Sequence, residues 1–164
     1  MGLQLPGELI GLLGMLGYTW PEADETKLFE LGNTWREFGT TLQTTASDAT
    51  GVAQRVWTEN KGEDFEALRT AWTSEDSAAE NLRTAAGSCM AMGVGLFIAA
   101  GIVLALKINV IVQLTMLAIE IAQAIATAGP TLGASLAEIP IFKEITGLII
   151  DQIIDQAIGA LLGS

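Results

Sequence analysis

The chain has 164 residues, half of them hydrophobic, with 19 acidic and 8 basic side chains and no histidine. A net charge of −11 argues against a nucleic-acid phosphate backbone or an anionic membrane surface as the main partner. The missing histidine removes His-ligated metal sites and Ser/Cys–His mechanisms, and the one cysteine, Cys89, has no partner for an internal disulfide.

Charge is unevenly spread: residues 1–88 hold 14 acids and 6 bases, whereas residues 89–164 hold 5 acids and 2 bases. The pattern predicts one domain over 1–164 in three parts. These are an N-terminal helix and lead-in (1–23), an acidic heptad hairpin (24–88) and apolar helices (89–164).

Residues 6–16 read as a short apolar helix. Pro6 suits its first turn, Leu9, Leu12, Leu13 and Leu16 share a face, and Gly17 ends it. This stretch does not read as a signal peptide, because Glu8 stands where a basic region belongs and Gly7, Gly11 and Gly14 interrupt the apolar run. Thr19 with Glu22 forms one capping box and Asp24 is a second cap candidate, so the first long helix starts between them.

That helix is predicted to run to about Trp57. Leu28, Leu31, Trp35, Phe38, Leu42, Thr45, Ala49, Val52 and Val56 alternate at spacings of three and four, the mark of a single apolar seam. Thr58–Gly62 reads as the turn, with Asn60 and Glu63 as a capping box. The rhythm then resumes at Phe65, Leu68, Trp72, Glu75, Ala79, Leu82, Ala86 and Cys89. Two such helices zip together as an antiparallel hairpin. Cys89 on this seam reads as a small buried thiol.

Residues 84–106 carry no charge, and a run of 23 residues is long enough to span a bilayer. Gly93, Leu96, Phe97 and Ile98, closed by Lys107, mark that possible membrane segment. The run is rich in glycine and alanine, which suits close helix packing in lipid and in soluble bundles alike, and a glycine hinge is expected somewhere in 87–101. Lys107 either pairs with an acid, snorkels at an interface or marks a helix end. Asn109, Gln113, Glu120, Gln123 and Thr127 then make a narrow polar stripe, fitting a bundle surface or a wet cavity. Ala128–Pro130 breaks the helix, and 131–139 form a loop or short turn. A last helix from Pro140 buries Ile141, Ile145, Leu148, Ile149, Ile153, Ala157, Ile158 and Leu161. No stretch shows strand alternation, so the expected fold is all-α: a long antiparallel hairpin with apolar C-terminal helices in an elongated bundle.

A resemblance adds to this reading. A long helix, a tryptophan-to-glycine turn and a second long helix resemble the WXG (Trp-Xaa-Gly) superfamily of type VII secretion substrates. Leu5–Leu9, Gly17-Tyr18-Thr19-Trp20-Pro21-Glu22-Ala23-Asp24-Glu25-Thr26-Lys27-Leu28 and Thr34-Trp35-Arg36 are similar to the WXG-like N-terminal domain of actinobacterial polymorphic toxins. The likeness extends through Leu104–Ile108 and Gly133–Ser135. It implies a secreted or cell-surface export domain that pairs with a small WXG-type protein and engages the type VII machinery, with a toxin domain fused or associated. Two features depart from the pattern. Trp57 and Gly62 are five apart rather than two. The Tyr-x-x-x-Asp/Glu export signal is missing after the second helix, where a partner chain is expected to supply it. Tyr18, the one tyrosine, matches that spacing to Glu22, but before the hairpin. The expectation for a chain ending at Ser164 is a fragment of a longer toxin or a stand-alone carrier.

The residues expected to pack the hairpin or meet a partner are Trp35, Phe38, Trp57, Gly62, Phe65 and Trp72. Trp57 stands just off the seam and either packs the hairpin tip or anchors a partner. Asp151 and Asp155, four apart, read as a solvated face, and no constellation supports catalysis, a cofactor or a metal. The function expected is non-catalytic export and pairing. The alternative is membrane insertion of 84–128 as a pore or translocation element.

Overall fold

The structure, a computed structural model, describes residues 2–163. Those residues form α1 (Gly7–Met15), α2 (Glu25–Glu59), α3 (Glu63–Trp72), α4 (Ala78–Ala126), a short 3-10 turn (Ala134–Ala137) and α5 (Glu138–Leu162), with no strand among them. The fold is all-α. Contacts gather in two compact units: Leu28–Ile98, and the N-terminal segment to Lys27 together with the chain from Ala99 onward.

In the unit Leu28–Ile98, α2 packs antiparallel on α4, but through a seam that differs from the expected one. Leu28, Trp35, Leu42, Ala49 and Val56 face inward as the heptads require. Their alternates are Gly32, Gly39, Ala46 and Ala53, all buried, while Leu31, Phe38, Thr45 and Val52 face water. The reason is steric. An ideal Cβ on Gly32 would stand 2.7 Å from the Phe97 ring and 3.0 Å from the Gly93 carbonyl oxygen. One on Gly39 would stand 2.9 Å from the Ala86 carbonyl oxygen, and one on Gly93 would stand 2.7 Å from the Gly32 carbonyl oxygen. The backbones approach more closely than a leucine–leucine seam permits. Arg36 lies over the Phe97 ring and Phe29 packs beside it.

The second hairpin arm, continuous in the heptad pattern, is broken between Trp72 and Ala78. α3 ends at Trp72, and Ser77 caps α4 by accepting from the Glu80 amide at 3.2 Å. Glu75 therefore lies exposed in the break and not on a seam. The tip is also built differently. Gly62, at φ 143°, is the N-cap of α3 and makes no side-chain cap, while Asn60 Nδ2 turns back to the Val56 carbonyl at 2.7 Å.

α4 then runs unbroken for 49 residues, so no glycine hinge interrupts 87–101. Buried or half-buried residues recur at three and four from Ala79 through Leu82, Ala86, Cys89, Gly93, Leu96, Ala100, Val103, Lys107, Val110, Leu114, Leu117 and Ile121 to Ala124. The heptads of the acidic hairpin thus continue straight through the uncharged run.

The other unit has its core at Leu9, Leu13, Val110, Leu114 and Ile150, with Leu5, Leu12, Leu16, Tyr18, Trp20 and Ile154 packed against it. α1 buries the face that its leucines predict. α5 is rotated from expectation: Thr146 and Ile150 are buried, while Ile141, Ile145, Leu148, Ile158 and Leu161 are half exposed or more. Tyr18 contacts α5 in this orientation. Its hydroxyl lies 2.6 Å from Asp151 Oδ1 and 3.0 Å from the Gly147 carbonyl oxygen, and the carboxylate is the stronger acceptor for its single proton. Ser135 closes the end of α4 by donating to the Ala124 carbonyl at 2.7 Å.

Candidate interaction surface

Two places concentrate unusual chemistry, one buried and one exposed. The buried one starts at the N-cap of α2, where Asp24 Oδ1, not Thr19, accepts from the Lys27 amide at 3.2 Å. Glu25 follows at a seam position, and Lys107 takes the matching place on α4. The Lys107 ammonium donates to Glu25 Oε2 at 2.8 Å and to the Ala23 carbonyl at 2.6 Å, and its nitrogen lies 5.8 Å from the centre of the Trp20 ring. The Leu3 amide donates to the other Glu25 oxygen, and Trp20 Nε1 donates to the Leu3 carbonyl at 3.3 Å. Lys107 is 1% exposed and Glu25 5%. Of the alternatives open for Lys107, the structure selects pairing with an acid.

These contacts tune the carboxylates. Burial pushes Glu25 up, but the Leu3 amide and Lys107 outweigh it and hold Glu25 below the usual range. Asp24 is lowered chiefly by the Lys27 amide. The Tyr18 phenol is pushed up to about 12, first by its hydrogen bond to Asp151 and then by burial. Asp151 is thus tied to Tyr18, and Asp151 and Asp155 line an open groove on α5. Among the described residues no group of three or more Cys, Asp or Glu side chains is placed to hold a metal.

The exposed place is a flank of α2. Leu31, Phe38 and Val52 are 46%, 50% and 58% exposed and follow one another at multiples of seven. Thr34, Thr41 and Thr45 lie among them, and each hydroxyl donates back to the carbonyl four residues earlier (Glu30, Glu37 and Thr41) at 2.8–3.0 Å. Their polarity is spent within the helix, so the flank offers methyl groups.

The six expected hairpin residues are not gathered at one point. Trp35 is half-buried and meets Phe38 edge-on, ring centres 6.5 Å apart. Phe65 is half-buried beside Gly62. Trp72 is half-buried and donates to Thr50 Oγ1 at 3.4 Å. Trp57 is half-buried near the end of α2. Phe38 and Trp72, expected on facing ridges, have separate neighbours. Of the expected membrane segment, Gly93 and Lys107 are buried, Leu96 and Phe97 half-buried, and Ile98 exposed. The ion pair was legible in part: Glu25 continues the α2 heptads backwards and Lys107 continues those of α4 forwards.

Residues 4–147 match the family profile described as WXG100 like domain. The chain belongs to the WXG100-like family. It is therefore a type VII secretion-related helical protein, with two long helices paired antiparallel as its central feature. No curated protein and no solved structure matches it.

Proposed function

We propose that this WXG100-like chain is a non-catalytic export-and-pairing domain that acts as one unit and joins a small WXG-type partner for type VII secretion. The observation that carries the reading is the exposed flank at Leu31, Phe38 and Val52. Large apolar side chains at heptad spacing, beside threonines already satisfied within the helix, suit a second helix laid along α2. The partner would supply the missing Tyr-x-x-x-Asp/Glu signal, and a toxin domain would be the cargo. The test is co-expression with the small WXG-type protein from a neighbouring gene. Co-purification that is lost in Phe38→Lys and Val52→Lys supports the proposal; retention in both variants sinks it.

A second reading, membrane insertion, is favoured by a different observation. α4 and the stretch Ala134–Leu162 are both long and apolar enough to cross a bilayer, and only 22% and 11% of their most apolar windows are buried. Flotation of the purified chain with lipid vesicles checks it: a protein that stays at the bottom of the gradient removes this reading.

A further inference from the structure

The second arm of the hairpin carries a gap that its own sequence bridges. Five residues, Thr73 to Ser77, separate α3 from α4, and none is glycine or proline. Leu68, Trp72, Glu75, Ala79 and Leu82 keep the spacing of four and three across them. We propose that the gap is a switch: residues 73–77 close into helix, α3 and α4 become one arm in the register that the heptads keep, and a partner helix packed along that arm selects the closed form. The last step rests on the pairing proposed above; the closure belongs to this chain alone.

Side chains occupy the places that a closed helix gives to backbone. Such a helix would bond the Glu75 amide to the Ala71 carbonyl and the Glu80 amide to the Asp76 carbonyl. In the open form Ser74 Oγ donates to the Ala71 carbonyl at 2.8 Å, the Glu80 amide donates to Ser77 Oγ at 3.2 Å, and Asn81 Nδ2 donates to the Asp76 carbonyl at 3.3 Å. Among the described residues none accepts from the Glu75 or Asp76 amide. Serine and asparagine compete with a helix in this way, and the two forms lie close because bonds lost on closing are replaced by bonds gained. The ends are ready. The Thr73 amide already donates to the Arg69 carbonyl and the Asn81 amide to the Ser77 carbonyl, each at 2.9 Å and in α-helical spacing.

Position 75 sets the balance. Gly93 lies against Gly32 and Ala86 against Gly39 across the seam. The same antiparallel register sets Ala79 against Ala46, both buried, and in the closed form Glu75 against Thr50 and Trp72 against Ala53. In the open form the Thr50 hydroxyl accepts from Trp72 Nε1 at 3.4 Å and from Arg83 Nη2 at 3.1 Å, one from each side of the gap, and donates to the Ala46 carbonyl at 2.7 Å. Closure sets the Glu75 carboxylate beside that hydroxyl, which can serve it only by turning its proton away from Ala46. A carboxylate drawn from water to a seam position holds the free chain open. A helix along the arm meets an unbroken stripe in the closed form and a gap in the open one, which is the differential contact that a population shift requires.

The test is amide hydrogen exchange, followed by NMR on the full chain, alone and with the small WXG-type partner. In free wild type the Asp76 amide is expected to exchange as an exposed one. Ser74→Ala combined with Ser77→Ala removes two of the stand-in bonds, and Glu75→Leu completes the apolar stripe; each is expected to slow the Asp76 amide at least ~10-fold. Glu75→Pro suits the second place of the turn that the Ser77 amide closes on the Ser74 carbonyl at 3.1 Å, and is expected to hold the gap open, with Asp76 fast even in the complex. A fixed connector behaves otherwise: loss of the Ser77 cap lowers its melting midpoint and protects nothing. An Asp76 amide left fast in both the alanine pair and Glu75→Leu overturns the closure. A complex in which the wild-type Asp76 amide stays as fast as in the free chain overturns its selection by a partner. If no complex forms, the pairing reading fails, while the variants of the free chain still decide the closure.

Discussion

Lys107 and Glu25 occupy seam positions of α4 and α2 and meet there as an ion pair 2.8 Å long, each side chain at most 6% exposed. Two charges removed from water are held by mutual attraction and by the Ala23 carbonyl and the Leu3 amide. Such a pair adds little net stability against an apolar replacement, but losing one member strands the other. Lys107→Ala is expected to destabilise the fold by about 3–5 kcal/mol, read by urea denaturation. Lys107→Met combined with Glu25→Gln is expected to recover more than half of that loss. Additive losses in the double variant would mean that the two side chains are not coupled.

The same pair makes stability depend on pH, with a definite sign. Glu25 and Asp24 are held below their ordinary values of 4.5 and 3.8. A depressed carboxylate contributes stability that is present above its unfolded value and is lost as pH falls through the folded one. The melting midpoint should be flat near neutrality and drop below about pH 4.5. The drop should shrink in the Lys107→Met, Glu25→Gln double variant. Tyr18 acts at the other end: with its phenol pushed up from 10.0 to about 12, its contribution is complete below pH 10 and disappears between 10 and 12. Tyr18→Phe should melt with a weaker alkaline decline, and an unchanged decline would remove Tyr18 from the account.

How much of this was legible in the sequence depends on what each position had to decide. The all-α class, the short first helix and the antiparallel hairpin followed from heptad spacing and capping residues. The inner seam did not, because hydrophobicity ranks Leu31 and Phe38 above Gly32 and Gly39, whereas close backbone approach reverses that order. The same preference for bulk misplaced the buried face of α5, where Thr146 goes inside and Ile145 outside. The break before α4 was written as Ser77 with Glu80, a capping box, but the heptads step across it in register and hid it. The proposed interaction surface was half visible: Phe38 stood among the residues expected to pack the hairpin or meet a partner, but the heptads put it on the inner seam, whereas it is 50% exposed.

The close seam yields a contrast between glycines of one helix. Alanine ordinarily stabilises an exposed helix position over glycine by up to about 1 kcal/mol. At Gly51 a Cβ meets nothing within 4 Å, so Gly51→Ala should raise the melting midpoint. At Gly39 it would stand 2.9 Å from the Ala86 carbonyl oxygen, which belongs to helix backbone and has little room to yield. Gly39→Ala should therefore lower the midpoint despite the better propensity, by about 1–3 kcal/mol of overpacking. Thermal melts of the two single variants decide it. Equal and opposite placement of the two glycines would be disproved if both variants gained stability.

Phe38 and Trp72 test which part of the hairpin holds the fold and which part faces outward. The heptad reading alone expects a charge at Phe38 to unfold the chain. With Phe38 half exposed, Phe38→Lys should instead retain its helicity and lie within about 0.5 kcal/mol of wild type, as surface changes do. Its defect should appear in partner co-purification alone. Trp72 is half-buried and bonded to Thr50, so Trp72→Ala should cost about 2–4 kcal/mol by removing aromatic packing and one hydrogen bond. Urea titration with circular dichroism separates the two. An unfolded Phe38→Lys would return that ring to the core, and a Trp72→Ala variant as stable as wild type would make α3 a passive cover over α2.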